Sequence, residues 1–230
     1  MTDELLPLPT AAAADALIRD GLPLRLAPPT MRRLTPGDPI CGAAMPVRHF
    51  GSVDVFLEAL ADAPVGGVLV IDNGGREDEA CVGDLTVAEF KLAGIAGIVL
   101  WGFHRDEAAL RQIGLPVWSL GARPAGPRSP RPRELDYLAW AEVDQERVVP
   151  TDIVLADDDG VLFVDGPTWA QVSDRAAEIM AAEVAQAGAI AAGTSLRAQL
   201  GFDDYLARRQ EDPTYTFRRH LSDRGGAIEI

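Results

Sequence analysis

The sequence predicts an α/β fold built around a parallel β-α-β unit, and three observations lead to it. Residues 66–75, GGVLVIDNGG, are a continuous apolar run that ends in polar residues and glycines, as a strand buried on both faces does at its carboxyl end. A helical pattern begins near Asp84 and ends at Gly94, and a second apolar run, GIVLWG, follows at residues 97–102. A strand, a helix and a strand in this order favour parallel pairing, with the two carboxyl ends side by side.

The elements before this unit are a helix, a strand and a second helix. Residues 10–20, TAAAADALIRD, have helical apolar spacing, with Thr10 as a plausible N-cap and Gly21 as a stop. Residues 39–47, PICGAAMPV, favour a strand interrupted by small residues. The segment SVDVFLEALADA then predicts a helix with Ser52 as its N-cap.

The segments after the unit are mostly strands and connectors. FHRDEAAL is expected to be a loop, LPVWSLG a short strand, and ARPAGPRSPRPRE an exposed connector whose arginines are solvated rather than an anion site. YLAWAEV is a further core element, and DIVLADDDGVLFV predicts two strands joined by a tight acidic turn that ends at Gly160. The aspartates of that turn are explained by solvation and turn formation more readily than by cation binding.

The last part of the chain is predicted to be helical. An alanine-rich helix is expected from Thr168 to about Ala192, before Gly193, and a charged, aromatic tail follows it. We therefore divide the chain into a catalytic domain at residues 1–167 and a C-terminal helical extension at residues 168–230, which we expect to pack on a neighbouring surface.

Composition excludes several classes of function. The chain has 230 residues, 47% of them hydrophobic, and a formal net charge of −14, which is unfavourable for a phosphate-binding surface, so no nucleic acid partner is expected. Cys41 and Cys81 form no C-x-x-C pair and are expected to be buried thiols in a reducing compartment. Without a secretory signal or a long apolar run, we expect a cytoplasmic protein with no membrane partner.

One group of residues at the strand ends is suited to chemistry. Gly83, Asp84, Leu85 and Thr86 open a helix, where free backbone N–H groups and the helix dipole favour a carboxylate. Arg105, twenty-one positions after Asp84, can donate two hydrogen bonds to the same substrate. Asp106 next to it is a hard oxygen ligand for Mg²⁺ or Mn²⁺, which would polarise a 2-oxo group, and Asp84 could move protons through water. By spacing alone, an N-cap aspartate and a surface Arg-Asp pair explain the same residues.

The wider sequence resembles the RraA-like family, which includes 4-hydroxy-4-methyl-2-oxoglutarate/4-carboxy-4-hydroxy-2-oxoadipate aldolases. The pattern D-x20-R-D formed by Asp84, Arg105 and Asp106 is similar to the family's motif. Other segments resemble family blocks in the family's order, over about residues 10–165: ADAL, CGAAMPV, GGVLVIDNGG, AGIVLWGFHRD, LPVW and VVPTDIVLADDDGVLFV.

The resemblance implies a swivelling-domain fold with an α/β/β/α core, in homotrimers or homohexamers with active sites between subunits. It implies a class II pyruvate aldolase, a lyase in which residues 83–86, namely Gly83, Asp84, Leu85 and Thr86, bind the pyruvyl group of a 2-oxo acid substrate together with Arg105. Asp106 would hold Mg²⁺ or Mn²⁺, and Asp84 would position a catalytic water. Cleavage of a 4-hydroxy-2-oxo acid would release pyruvate through a metal-stabilised enolate, and oxaloacetate decarboxylation would use the same enolate.

The sequence departs from the family pattern at two places. Phe103 and His104 stand where members often have small or aliphatic residues, and Thr151 stands where glycine is usual. His104 could alter substrate choice, although a structural role is the simpler interpretation.

A non-catalytic RraA-like regulator that binds a ribonuclease is the alternative function. A methyltransferase is disfavoured because NGG after the strand lacks a nucleotide-binding fingerprint.

Overall fold

The computed structural model describes residue 5 and residues 7–127 and 130–225. Its helices are α1 Thr10–Arg19, α2 Asp54–Leu60, α3 Asp84–Leu92, α4 Glu107–Ile113, α5 Trp169–Ala191, α6 Leu196–Gln199, α7 Phe202–Glu211 and α8 Phe217–Asp223. Its strands are β1 Arg25–Leu26, β2 Arg32–Arg33, β3 Ile40–Arg48, β4 Val68–Asp72, β5 Ala80–Val82, β6 Gly97–Trp101, β7 Phe103–His104, β8 Val117–Ser119, β9 Ala141–Val143, β10 Glu146–Val148, β11 Ile153–Ala156 and β12 Val161–Val164.

One large mixed sheet organises the chain, with strand order β1-β12-β11-β3-β4-β6-β8-β2. The central strands β3, β4, β6 and β8 are parallel, and Asp72 at the end of β4 pairs with Trp101 at the end of β6. The outer strands pair antiparallel. The predicted α/β class and the parallel β-α-β unit are therefore confirmed, and the carboxyl ends of β4 and β6 lie side by side.

Helices and a small hairpin cover the sheet in three apolar clusters. On one face of the parallel strands, Phe56 of α2, Phe90 of α3 and Leu110 of α4 are fully buried. On the other face of these strands, the hairpin of β9 and β10 packs with Trp118 against β4 and β6. Helices α1 and α5 pack together over β11 and β12. The core elements thus lie on both sides of the sheet.

The start of α1 differs from the prediction in its capping residue. Thr10 is the first helical residue rather than the N-cap, which is Pro9. The cap comes from Asp157 in the acidic turn, whose carboxylate accepts from Thr10 N at 2.8 Å and Thr10 Oγ1 at 2.7 Å. Asp157 therefore supplies the acceptor that the helix N-terminus lacks locally. The first aspartate of the turn is thus structural, in agreement with the simpler interpretation.

Two other local predictions need correction. Ser52 is not the N-cap of α2, since that position belongs to Val53. Residues 103–110 are not a loop, because they contain β7 and the first half of α4. The segment YLAWAEV is a core element, as predicted: its first residues form a turn that packs on the core, and its last three form β9.

The C-terminal region is helical, as predicted. The first half of α5 is anchored in the core by Val172, Ala176 and Ile179, whereas its second half is largely exposed. Beyond it, α6, α7 and α8 enclose a small group of rings that we call the C-terminal aromatic cluster: Phe202, Tyr205, Tyr215, Phe217 and His220. The boundary between residues 1–167 and 168–230 stays a prediction. In the described part of the chain, no helix has both the length and the apolar character needed to cross a membrane.

Candidate functional site

A short two-stranded ladder brings the two predicted site segments together. Strands β5 and β7 extend beyond the ends of β4 and β6 and pair in parallel, with Val82 opposite His104. The backbone N–H of Arg105 donates to the carbonyl of Val82 at 2.9 Å. Gly83 follows β5 and Arg105 follows β7, so the two segments leave the ladder at the same end.

Gly83 allows the Arg105 and Asp106 side chains to lie directly over the backbone. A Cβ atom at Gly83 would be 2.7 Å from Asp106 Oδ2 and 3.1 Å from Arg105 Nε. Those two side chains form an ion pair, with 3.3 Å between Arg105 Nε and Asp106 Oδ2. Glycine is required here by space rather than by backbone angle, because its φ of −138° suits any residue.

The first turn of α3 provides donors beside this pair. The amide of Gly83 donates to Thr86 Oγ1 at 3.1 Å, and the Thr86 hydroxyl donates to the Gly83 carbonyl at 2.8 Å. Asp84 Oδ1 accepts from the amide of Leu85 at 2.8 Å. Local side chains therefore already accept from the Gly83 and Leu85 amides, which leaves the Asp84 and Thr86 amides and the partial positive charge of the helix dipole for a ligand. The turn is therefore suited to an anion.

These residues line one cavity of about 360 Å³. Gly83, Asp84, Leu85, Thr86 and Arg105, all predicted from the sequence, contribute to its wall. Asp106 is not in the wall but contacts its edge through Arg105 and Gly83. The structure thus places every predicted site residue in one small region of the chain.

The rest of the cavity lining was not predicted. It consists of Gly51, Ser52 and Val53 before α2, of the β5 residues Ala80, Cys81 and Val82, and of Pro127. The only signal in the sequence is the position of Gly51 and Ser52 at the carboxyl end of β3, next to β4 in the sheet. The cavity therefore lies at the ends of three neighbouring parallel strands, which is the expected place for a ligand in such a sheet.

This site could hold a divalent cation only through a small number of protein ligands, with water as the others. Among the described residues, no group of three or more His, Cys, Asp or Glu side chains is arranged to hold a metal ion. The Asp106 carboxylate is 41% exposed and so keeps oxygen lone pairs available to a ligand from solvent. Mg²⁺ commonly binds proteins through one or two carboxylates and retains several waters. Asp106 is compatible with that mode of binding. Among the described residues, no closed cage of protein ligands surrounds it.

The backbone of Asp106 is unusual, and this fixes the direction of its side chain. Asp106 has φ 60°, in the left-handed region, and is the N-cap of α4. Its carbonyl accepts from the amides of Ala109 and Leu110 at 2.8 and 3.0 Å. Asp and Asn are the residues other than glycine that adopt this conformation most readily. The residue type at position 106 is thus restricted by the chain turn as well as by any ligand.

His104 has a structural role. Its side chain is buried, and its Nδ1 lies 2.8 Å from Ser119 Oγ. Its Nε2 is 3.7 Å from Glu107 Oε2, too far for a hydrogen bond. Burial lowers the pKa of His104, although Glu107 opposes that shift. His104 is not in the cavity wall, which favours the structural interpretation of this residue.

Comparison with known proteins gives a consistent family match. The model of the RraA-like family, described as Aldolase/RraA, matches residues 10–163. A solved structure of an uncharacterized protein from Pseudomonas syringae pv. tomato has a TM-score of 0.71 and 26% identity, over 83% of this chain and 91% of that one. RraAS2 from Streptomyces coelicolor, an unusual member of the RNase ES inhibitor RraA family, has a TM-score of 0.63 and 28% identity, over 73% and 86%. The RNA-processing inhibitor RraA from Thermus thermophilis has a TM-score of 0.57 and 25% identity, over 66% and 92%.

Proposed function

Since the chain belongs to the RraA-like family, Aldolase/RraA, we propose that it is a divalent-metal-dependent lyase that cleaves a 4-hydroxy-2-oxo acid and releases pyruvate. One observation supports this most directly. The first turn of α3, the Arg105 guanidinium and the Asp106 carboxylate meet around Gly83 at the edge of a single cavity. An anion site, a two-pronged donor and a hard oxygen ligand are together what a 2-oxo acid requires.

In this proposal the protein binds the substrate carboxylate between two kinds of donor. The first turn of α3 and Arg105, which follows β7, both line the cavity, so both are available to the same carboxylate. Bidentate hydrogen bonds from a guanidinium fix orientation as well as charge. Arg105 is held in place by the Asp106 carboxylate at 3.3 Å, so the two residues act as a unit.

Cleavage also needs charge stabilisation and proton transfer. Mg²⁺ or Mn²⁺ held at Asp106 would supply Lewis-acid polarisation of the 2-oxo group. Asp84, in the cavity wall, is oriented by the Leu85 amide and is the carboxylate placed to take a proton through water. Oxaloacetate decarboxylation follows from the same positions, because it also leaves negative charge on a pyruvyl group.

The test is pyruvate release from 4-hydroxy-4-methyl-2-oxoglutarate and from oxaloacetate, with Mg²⁺ or Mn²⁺ and with chelator. Asp106→Asn keeps the shape and the left-handed turn, and Arg105→Lys keeps the charge but loses the two-pronged geometry. We expect metal-dependent release that falls at least 100-fold in each variant. Arg209→Lys, on exposed α7, is the matched control and is expected to behave as the parent. Release unaffected by chelator, or retained in Asp106→Asn, would contradict the proposal.

A second candidate is a non-catalytic regulator that binds a ribonuclease. Two of the similar solved structures are described as RNA-processing or RNase inhibitors. On α3, Leu85 and Leu92 are each 82% exposed on one helix face, which gives an apolar contact surface. The same surface would also suit a second copy in the trimer or hexamer that we propose. A regulator would bind a ribonuclease equally well after Asp106→Asn, whereas the lyase would lose its activity.

A further inference from the structure

The cavity at the candidate site is small and rich in apolar side chains. Its volume of about 360 Å³ lies near the lower end of the range of about 300–1,000 Å³ that is typical of small-molecule sites. It therefore suits a small acid better than a molecule of cofactor size. Five of the lining residues have hydrocarbon side chains: Val53, Ala80, Val82, Leu85 and Pro127.

The same lining contains one positive and one negative side chain. Among its described residues, Arg105 is the single base and Asp84 is the single acid. In the proposed lyase, Arg105 binds the carboxylate of the pyruvyl group, and its Nε is 3.3 Å from Asp106 Oδ2. The negative charge of Asp84 repels any further carboxylate. A second carboxylate on the substrate therefore has no basic side chain left to it in the described lining.

The other polar side chains of the lining are neutral and offer few donors. The Thr86 hydroxyl already exchanges two hydrogen bonds with the Gly83 backbone, at 3.1 and 2.8 Å. Burial raises the pKa of the Cys81 thiol, so the thiol stays neutral at physiological pH and behaves as a small apolar group. Ser52 supplies one more hydroxyl. One hydroxyl does not replace the hydration that a buried carboxylate loses.

Two arginines of the neighbouring connector, Arg123 and Arg131, are directed to backbone carbonyls. Arg123 Nε donates to the carbonyl of Glu77 at 3.2 Å, and the Arg131 guanidinium donates to the carbonyl of His49 at 3.0 Å. Neither arginine lines the cavity. They therefore do not supply the cation that a second carboxylate would need.

Two large apolar side chains of the lining are exposed to solvent. Val53, at the N-cap of α2, has an exposed fraction of 48%, and Leu85, in the first turn of α3, has one of 82%. An apolar group that covers them removes its own surface and theirs from water, which is favourable. A carboxylate in the same place loses hydration without gaining a partner. These two residues therefore favour an apolar group on the part of the substrate beyond the pyruvyl portion.

We propose that this site selects 4-hydroxy-2-oxo acids that have a single carboxylate and an apolar chain at C4, and that Val53 and Leu85 determine the preference. The inference rests on the proposed lyase function. In the reaction, the C3–C4 bond breaks and its electron pair remains on C3, which takes up a proton and becomes the methyl group of pyruvate. The C4 hydroxyl loses its proton, and C4 leaves as the carbonyl carbon of an aldehyde with an apolar chain.

A matched pair of substrates tests the selection. The acids 4-hydroxy-2-oxoheptanoate and 4-hydroxy-2-oxoheptanedioate have the same carbon chain and differ only in their last group, which is a methyl or a carboxylate. With Mg²⁺ present, we expect kcat/KM for pyruvate release to be at least about tenfold higher for the heptanoate. An equal or higher value for the heptanedioate would overturn the selection and leave the lyase standing.

Variants then test the two residues. Leu85→Arg places a cation in the lining and should lower the heptanoate-to-heptanedioate ratio of kcat/KM by about tenfold or more. Leu92→Arg is its matched control, because Leu92 is on the same helix with the same exposed fraction of 82% but does not line the cavity. Val53→Arg and its control Val65→Arg, at an 89% exposed position outside the lining, form a second set. A ratio that falls in neither lining variant, or falls equally in the controls, would refute the assignment. A ratio that falls in one of them would restrict the role to that residue.

Binding of acids that cannot be cleaved separates the selection from turnover. The acids 2-oxoheptanoate and 2-oxoheptanedioate lack the C4 hydroxyl, so the retro-aldol step is closed to them. By isothermal titration calorimetry with Mg²⁺, we expect Kd to be about tenfold lower for 2-oxoheptanoate. Equal Kd values would overturn the selection. A clear preference for 2-oxoheptanoate without pyruvate release from any 4-hydroxy-2-oxo acid would refute the lyase and not the selection.

Discussion

Replacement of Gly83 by alanine tests whether the proposed lyase activity depends on the close approach of the Arg105 and Asp106 side chains to the backbone at residue 83. The new Cβ would lie 2.7 Å from Asp106 Oδ2 and 3.1 Å from Arg105 Nε, so the carboxylate must retreat by about 0.7 Å to reach an ordinary van der Waals contact of 3.4 Å. The backbone angle at Gly83 suits alanine, and the cost in folding free energy is only the weaker N-cap, about 1 kcal/mol. A functional group displaced by about 1 Å commonly loses about 100-fold in rate. We therefore expect Gly83→Ala to reduce kcat/KM for pyruvate release by about 10- to 100-fold.

Two measurements separate this effect from misfolding. Thermal unfolding should show a melting temperature within about 4 °C of the parent value for a change of this size in a chain of 230 residues. Mn²⁺ titration followed by electron paramagnetic resonance should show weaker binding in Gly83→Ala, independently of turnover. Gly188→Ala is the matched control, because Gly188 lies in α5 with open space around its missing Cβ. If Gly83→Ala keeps both Mn²⁺ binding and kcat/KM within twofold, the close approach does not matter and the reasoning is wrong.

Three further predictions concern stability. Asp157→Ala removes the cap of α1 and should lower the free energy of unfolding in urea by about 2–3 kcal/mol. Asp159 is exposed, and Asp159→Ala should lower it little. Equal losses in the two variants would contradict the capping role. Asp106→Ala should be about 1 kcal/mol less stable than Asp106→Asn, because alanine is strained at φ 60°, and equal urea midpoints would show that the turn relaxes. Burial lowers the pKa of both His49 and His104, so their contribution to stability is present above the unfolded pKa, about 6.5, and is lost as pH falls below it. His104→Gln should make the fall in unfolding free energy between pH 7 and 5.5 shallower, and an unchanged slope would refute this.

The long elements of the fold could be predicted from the sequence because their patterns are strong. The apolar runs of β4 and β6 and the helical spacing of α3 place the strand ends side by side, and the structure has this arrangement. The position of the site could therefore be predicted from the sequence alone. Asp84, Arg105 and Asp106 were expected together, and the structure places them around Gly83.

The short elements could not be predicted, for a physical reason. Strands β5 and β7 have three and two residues, too few for any periodicity, and exist because each pairs with the other. Helix α4 follows a left-handed residue, Asp106, and has only seven residues, so its segment resembles a loop. The cap of α1 comes from Asp157, 147 positions away, and no local signal can reveal such a partner.

The exposed second half of α5 has a consequence for how the molecule opens. The helix has 23 residues, which is about 35 Å at 1.5 Å per residue, yet its buried residues Val172, Ala176 and Ile179 all lie in its first half. The C-terminal aromatic cluster at its far end has its own contacts, such as Tyr205 to Phe217 at 5.0 Å between ring centroids. Amide protons in the second half of α5 should therefore exchange with solvent through local opening, at a smaller free energy than those of β4 and β6. We therefore expect the core and the C-terminal aromatic cluster to open as two cooperative units of unequal stability, joined by one continuous helix.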